Sequence, residues 1–188
     1  RDDDLVEVVL TKPPAPSQVS LQLESMLAGG WGMRDTRQLL PAIAESAHTS
    51  LIVMTPYLDD LGAAIVLNLF ERANVPDGCL ILRATPEGDP PSGLAGIRTA
   101  LNRLEVAVLN FRLDRPAASG SETFHAKVVL ADDISAYVGS SNMHKWSFEY
   151  SLELGLHVRG RAAARIAEIL RAVRNVSGPM SERSASST

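Results

Sequence analysis

The spacing of apolar residues changes period several times along this chain, and each change marks an element. Residues 51–55 are an almost unbroken apolar run (Leu51, Ile52, Val53, Met54), as in a strand buried on both faces. Residues 79–82 and 105–109 read as two further strands. A helical pattern follows Asp59-Asp60 through Ile65, Leu67, Leu69 and Phe70, and residues 96–103 read as another helix. From 124 to 130 the period becomes two. It places His125, Lys127 and Val129 on one strand face and Phe124, Ala126, Val128 and Leu130 on the other. Residues 135–138 form the next strand, paired as a hairpin across Asp132-Asp133, and 152–158 form another. The last helix, 161–173, carries an apolar stripe of Ala162, Ile166, Ile169, Leu170 and Val173, with Arg161, Arg165, Arg171 and Arg174 outside it.

The first fifty residues are more broken. The run from Leu5 to Leu10 is either a strand or a fraying arm, and Pro13-Pro14-Ala15-Pro16 punctuates it. Ser17 is placed to cap a helix with Val19, Leu23, Met26 and Leu27 on one face, stopped by Gly29-Gly30. Asp35 starts a second helix through Leu39, Leu40, Ile43 and Ala44, which Pro41 should kink or restart. Residues 85–92 are a turn-rich loop, and the polar loop 112–122 runs directly into His125, where it can shape access. The order predicts one α/β domain with a mixed sheet flanked by helices on both faces. Its expected limits are an N-terminal arm at 1–16, the domain at 17–176, and a Ser-rich disordered tail at 177–188.

A chain of 188 residues, 45% hydrophobic, has enough apolar mass for one buried core. The net charge of −4 is wrong for a protein that coats nucleic acid, so any such contact needs a local basic patch. The one cysteine, Cys79, rules out an internal disulfide and has no metal-ligand spacing. No apolar run reaches the ~20 residues of a membrane span, and no signal-peptide pattern is present. A cytoplasmic protein without stable membrane association is the expectation.

The chemistry concentrates in His125, Lys127, Asp132, Gly139, Ser140 and Asn142, a pattern H-x-K-x4-D-x6-G-S-x-N. An imidazole and an ammonium project side by side from a strand, and a nearby turn adds a hydroxyl and an amide. Such a set suits an oxyanion, phosphate best. With each residue type at a few per cent of average usage, chance gives this pattern at roughly 10⁻⁸ per starting position. Gly139 is expected to let the backbone leave its strand sharply.

This pattern resembles the HKD signature of the phospholipase D superfamily, in its single-motif, nuclease-like bacterial branch. The resemblance implies that branch's fold and a site of His125, Lys127, Asn142, Ser140, Glu153 and Asp132. His125 would be the nucleophile, forming a phosphohistidine, with Lys127 and Asn142 holding the phosphate and Ser140 helping. Glu153 would orient His125 through Nδ1–H. Its position fits, because period two puts Ser151, Glu153, Gly155 and His157 opposite Leu152, Leu154 and Leu156. Relatives often carry Asn where this chain has Ser151. Asp132 is expected to be chiefly structural, capping the hairpin turn.

His144 and Trp146, just past the motif, are weaker candidates for a substrate groove, and Tyr57 could join Trp146 in a stacking wall. His48 reads as a surface or capping residue and His157 as a packed one, while the arginines of the last helix read as a solvated face.

The superfamily uses a second HKD histidine across a two-fold axis, and this chain has one H-x-K. A homodimer with facing His125 residues is therefore expected, unless a second motif lies in a longer chain. No metal and no cofactor are required, since Lys127 supplies the positive charge. Single-motif relatives are largely nucleases, some from bacterial anti-phage systems such as the phospholipase D-like component of DISARM. The favoured reading is a metal-independent phosphodiesterase on DNA or RNA, with a role in defence and defence-system partners among its implications. The alternatives are a phospholipase or transphosphatidylase on lipid diesters, and a non-catalytic nucleic-acid-binding subunit.

Overall fold

The nine-stranded sheet at the centre of the molecule runs in the order β11-β5-β4-β3-β8-β9-β10-β1-β2. A computed structural model describes residues 4–27, 33–115 and 120–181. In chain order the elements are β1 (Val6–Thr11), α1 (Gln18–Leu27), β2 (Arg34–Asp35), α2 (Thr36–Glu45), β3 (Ser50–Met54) and α3 (Asp60–Ala73). Then come β4 (Asp77–Leu82), α4 (Leu94–Arg103), β5 (Ala107–Asn110), β6 (Leu113–Asp114) and β7 (Ser121–Glu122). The chain continues through β8 (Lys127–Ala131), β9 (Ser135–Gly139), α5 (Lys145–Glu149), β10 (Glu153–Arg159), α6 (Arg161–Val176) and β11 (Gly178–Pro179). Strands β3, β4 and β5 are parallel, whereas β8 runs antiparallel to β3 and forms a hairpin with β9. The expected mixed α/β fold is the one observed.

Alternation along the strands supplies two cores. Leu51, Val53, Leu80, Leu82 and Val129 face α2, α3 and α4 through Leu39, Ile43, Val66, Leu69 and Leu101. Ile52, Met54, Ile81, Val128 and Leu130 face α6 through Ala163, Ala167 and Leu170. Each fully buried Leu or Ile contributes about 1.5–3 kcal/mol. Helix α3 starts where Asp59 accepts a hydrogen bond from the Gly62 amide, 2.9 Å, and ends at Asn74 with φ 44°.

Several expectations are corrected. Residues 6–11 are no arm: β1 pairs with β10 along its whole length, carrying the core residue Val9. The tail expected from 177 begins as structure, since β11 pairs with β5 and Met180 is buried, while 182–188 lie outside the described residues. The Gly29-Gly30 stop also falls outside them. Pro41 does not break α2, which runs on to Glu45. On α6 the buried stripe is turned toward Ala163 and Ala167, leaving Ala162 and Ile169 exposed, because small side chains let the helix lie close to the sheet. Its four arginines pair with Asp4, Glu168, Asp133 and Asp77 and form the solvated face expected of them. Among the described residues no helix is long and apolar enough to cross a membrane.

Gly139 has a different reason from the one expected. Its φ is not in the left-handed region. Instead the Tyr137 ring lies across Gly139 and Gly155, which pair with each other between β9 and β10. A Cβ on Gly139 would meet Tyr137 Oη at 2.2 Å, and one on Gly155 would meet the ring at 2.3 Å.

Candidate active site

Strand β8 opens at Lys127 rather than at 124, so His125 sits in the extended lead-in, exposed, while Lys127 is only 3% exposed. The Lys127 Nζ lies 3.0 Å from Nδ1 and 3.3 Å from Nε2 of His125. Taking an ammonium out of water is costly, and that burial is the main cause of a pKa below the usual lysine range. The Glu153 carboxylate pulls the Lys127 pKa back up, and the Arg83 guanidinium lowers it again. His125 is likewise held below the ordinary imidazole value, first by the charge of Lys127, then by burial, then by Arg83. The result is an uncharged imidazole, with its lone pair, beside a cation.

The turn after β9 is built from serines. Glu153, the first residue of β10, accepts a 2.7 Å hydrogen bond from Ser147 Oγ through one oxygen and a short one from Ser140 Oγ through the other. Ser147 Oγ also accepts the Asn142 amide, 3.0 Å, and Ser140 Oγ accepts the Leu154 amide, 3.1 Å. The Asn142 Oδ1 is buried with no partner among the described residues, the kind of unmet group that collects at functional sites. Thr55 Oγ1 and the Asp59 amide brace the next residue, Met143, at its N–H and its carbonyl. Among the described residues Glu153 makes no hydrogen bond to Nδ1 of His125, which lies against the Lys127 Nζ instead. Glu153 fixes the Ser140–Asn142 turn and offsets Lys127, because its two oxygens are taken by Ser140 and Ser147.

Asp132 is absent from this cluster. It lies five residues along β8 from Lys127, about 17 Å at strand rise. There its carboxylate accepts the amides of His48, Thr49 and Ser50 and the Thr49 hydroxyl, at 2.6–2.8 Å. With φ 51° at Asp132 and 58° at Asp133, it holds the hairpin turn to the start of β3. Its place is a structural one, away from His125 and Lys127. His48 contributes its backbone there, and His157 is buried between Ser135 and Glu7, both 2.9 Å away.

His144 caps α5, accepting from the Ser147 amide at 3.2 Å, and its ring centroid is 6.3 Å from that of Tyr57. Tyr57 in turn stands edge-on to His125 at 6.2 Å. Trp146 is exposed beside Tyr150. Sequence reasoning missed Arg83. It follows β4, crosses over the Tyr57 ring at 4.8 Å and donates to the Phe124 carbonyl at 3.3 Å. Among the described residues no three His, Cys, Asp or Glu side chains gather as a metal set.

The family model for the phospholipase D-like domain of cardiolipin synthase matches residues 40–173, and the chain belongs to this phospholipase D-like family. Its fold is shared with Nuc, a phospholipase D family member from Salmonella typhimurium (TM-score 0.58, 16% identity, 94% of this chain and 98% of that one). NucT from Helicobacter pylori is similar at TM-score 0.67 and 13% identity, covering 94% and 99%. Phosphatidylserine synthase from Haemophilus influenzae is similar at TM-score 0.59 and 13% identity, over 95% of this chain and 40% of that one. No protein of curated function matches this chain in sequence.

Proposed function

We propose that this protein is a metal-independent phosphodiesterase, a nuclease that cleaves DNA or RNA through a phosphohistidine on His125. The observation that carries this reading is the exposed His125 ring with the buried Lys127 Nζ 3.0 Å away. A phosphodiester oxygen arriving at Lys127 takes over the ammonium and frees the His125 lone pair to attack phosphorus. The N–P bond forms as the P–O bond to the leaving group breaks, and Lys127 and Asn142 stabilise charge on the non-bridging oxygens. The leaving oxygen takes a proton from a second His125, supplied by a partner copy and held as imidazolium by the negative charge of the bound diester, which offsets its Lys127. Water then attacks the phosphohistidine, loses its proton to that partner imidazole, and returns His125 to its starting state.

Two features support the dimer. One H-x-K leaves the acid unassigned within the chain. The sheet also leaves an apolar strip, Val6, Val8, Leu154 and Leu156, exposed on the face opposite Glu153. The test is cleavage of single- and double-stranded DNA and of RNA in EDTA, with His125→Ala as control. Survival of every nucleic acid while a lipid or small diester is hydrolysed would end the nuclease reading.

A second reading, lipid phosphodiester chemistry, is favoured by Trp146, Tyr150 and Leu152 standing exposed just past the motif. Hydrolysis of phosphatidylglycerol vesicles separates it. A place in anti-phage defence, with defence proteins as partners, is tested by phage plating on cells carrying His125→Ala.

A further inference from the structure

A groove of about 560 Å³ opens beside the reacting imidazole, within the size range of ligand clefts. Its working walls are Tyr57, Arg83, Arg112, His144 and Trp146. Tyr57 and Trp146 are both exposed, Trp146 to 66%, so neither ring is spent on the core. Arg83 lies over the Tyr57 ring and also projects its charge onto His125 and Lys127, which makes the groove continuous with the reaction centre. Arg112 brings a second guanidinium from the segment before β6, with Glu87 near it. The one carboxylate in the lining, Asp59, is already engaged by the amides of Gly62 and Lys145 at 2.9 and 2.7 Å.

An exposed indole and a tyrosine with one face under Arg83, set among guanidinium groups, are what an unpaired nucleotide needs: a ring for the base and a cation for the next phosphate. A base inside a duplex is stacked on both faces and cannot turn onto Tyr57 or Trp146. An acyl chain would bury against the rings but leave two guanidinium groups facing hydrocarbon. We propose that this groove is a nucleotide subsite flanking the scissile phosphate. Trp146 and Tyr57 stack the base, Arg83 and Arg112 take the adjoining phosphate, and the subsite makes the enzyme prefer unpaired strands. The proposal rests on the nuclease reading above and deepens it.

The test compares two substrates, a labelled single-stranded oligonucleotide and bis(p-nitrophenyl) phosphate, the latter carrying neither a nucleobase nor an adjoining phosphate. Both are assayed with the full-length parent, Trp146→Ala and Arg112→Ala. The ratio of kcat/KM for the oligonucleotide to that for the small diester should fall about tenfold in each variant, and the preference for single over double strands should shrink with it. Titrating His125→Ala with the oligonucleotide should quench tryptophan emission, and the quench should vanish when Trp146→Phe is added. If the parent cleaves the oligonucleotide but the ratio is the same in all three proteins, the subsite is wrong and the nuclease reading stands. If the parent hydrolyses only the small diester, both fall.

Discussion

The Lys127 ammonium stands 3.0 Å from Nδ1 and 3.3 Å from Nε2 of His125, so protonating the imidazole would set two cations in contact. Lys127 is the largest single influence lowering the His125 pKa, ahead of burial and Arg83. Attack needs the neutral ring. The acid limb of kcat/KM should therefore lie below the ~6.5 of an ordinary histidine. In Lys127→Met that limb should move upward in pH while the rate drops by about 10²–10³-fold. A pH–rate profile of both proteins decides it, and a limb that does not move contradicts the electrostatic account.

Asp132, the D of the motif, should matter for stability and not for chemistry. Asp132→Ala leaves three amides near the start of β3 without their acceptor, a loss of about 2–3 kcal/mol in urea unfolding. Burial pushes its carboxyl pKa up, but the amides of Ser50 and Thr49, the Thr49 hydroxyl and the His48 amide outweigh that and hold it low. A depressed folded-state pKa gives stability that is full above ~3.9 and lost as pH falls through the folded value. Acid unfolding of Asp132→Ala should thus begin from a lower plateau and show a shallower pH slope. Turnover per folded molecule should remain within about twofold of the parent.

The Tyr137 ring dictates glycine at 139. Gly139→Ala should cost about 1–3 kcal/mol, because the new Cβ falls 2.2 Å from Tyr137 Oη. Combining it with Tyr137→Phe, which removes that nearest atom, should recover part of the loss. A double-mutant cycle in urea measures the coupling, and additivity of the two changes would show that the hydroxyl is not the obstacle.

The apolar strip on β1 and β10 should hold the second copy. Leu156→Asp places a carboxylate in it without disturbing a buried side chain. Sedimentation should report a monomer, and diester hydrolysis should fall at least about 10²-fold, the loss of a general acid. A monomeric parent with full activity would overturn the two-copy mechanism.

Much of this was legible beforehand because it is local. The period-two run placed His125 and Lys127 side by side, and Ser140 and Asn142 follow within one turn. Asp35 announced its helix as a cap, and Asp59-Asp60 marked where the next one begins. What failed to show is what the sheet brings together from afar. Arg83 has no marked neighbourhood in sequence, yet β4 sits beside β3, two places from β8, and delivers it to a residue 41 positions later. Glu153 was assigned to the imidazole by its place after the motif, whereas Ser147, an unremarkable helix residue, takes one of its oxygens. The strip of β1 was half-legible: an apolar run at a chain end reads equally as arm or strand until β10 is there to pair with it.

The carboxylate of Asp59 begins two helices at once, meeting the Gly62 amide in α3 and the Lys145 amide in α5. Gly62 is meanwhile wedged so closely on the Met143 carbonyl that a methyl group there would overlap it. Trp146 therefore rides on a splint rather than on a free loop. A strand held on that indole, as proposed, would press on the Ser140–Asn142 turn through these backbone contacts, so that grip at the groove would be felt as a change of geometry at phosphorus.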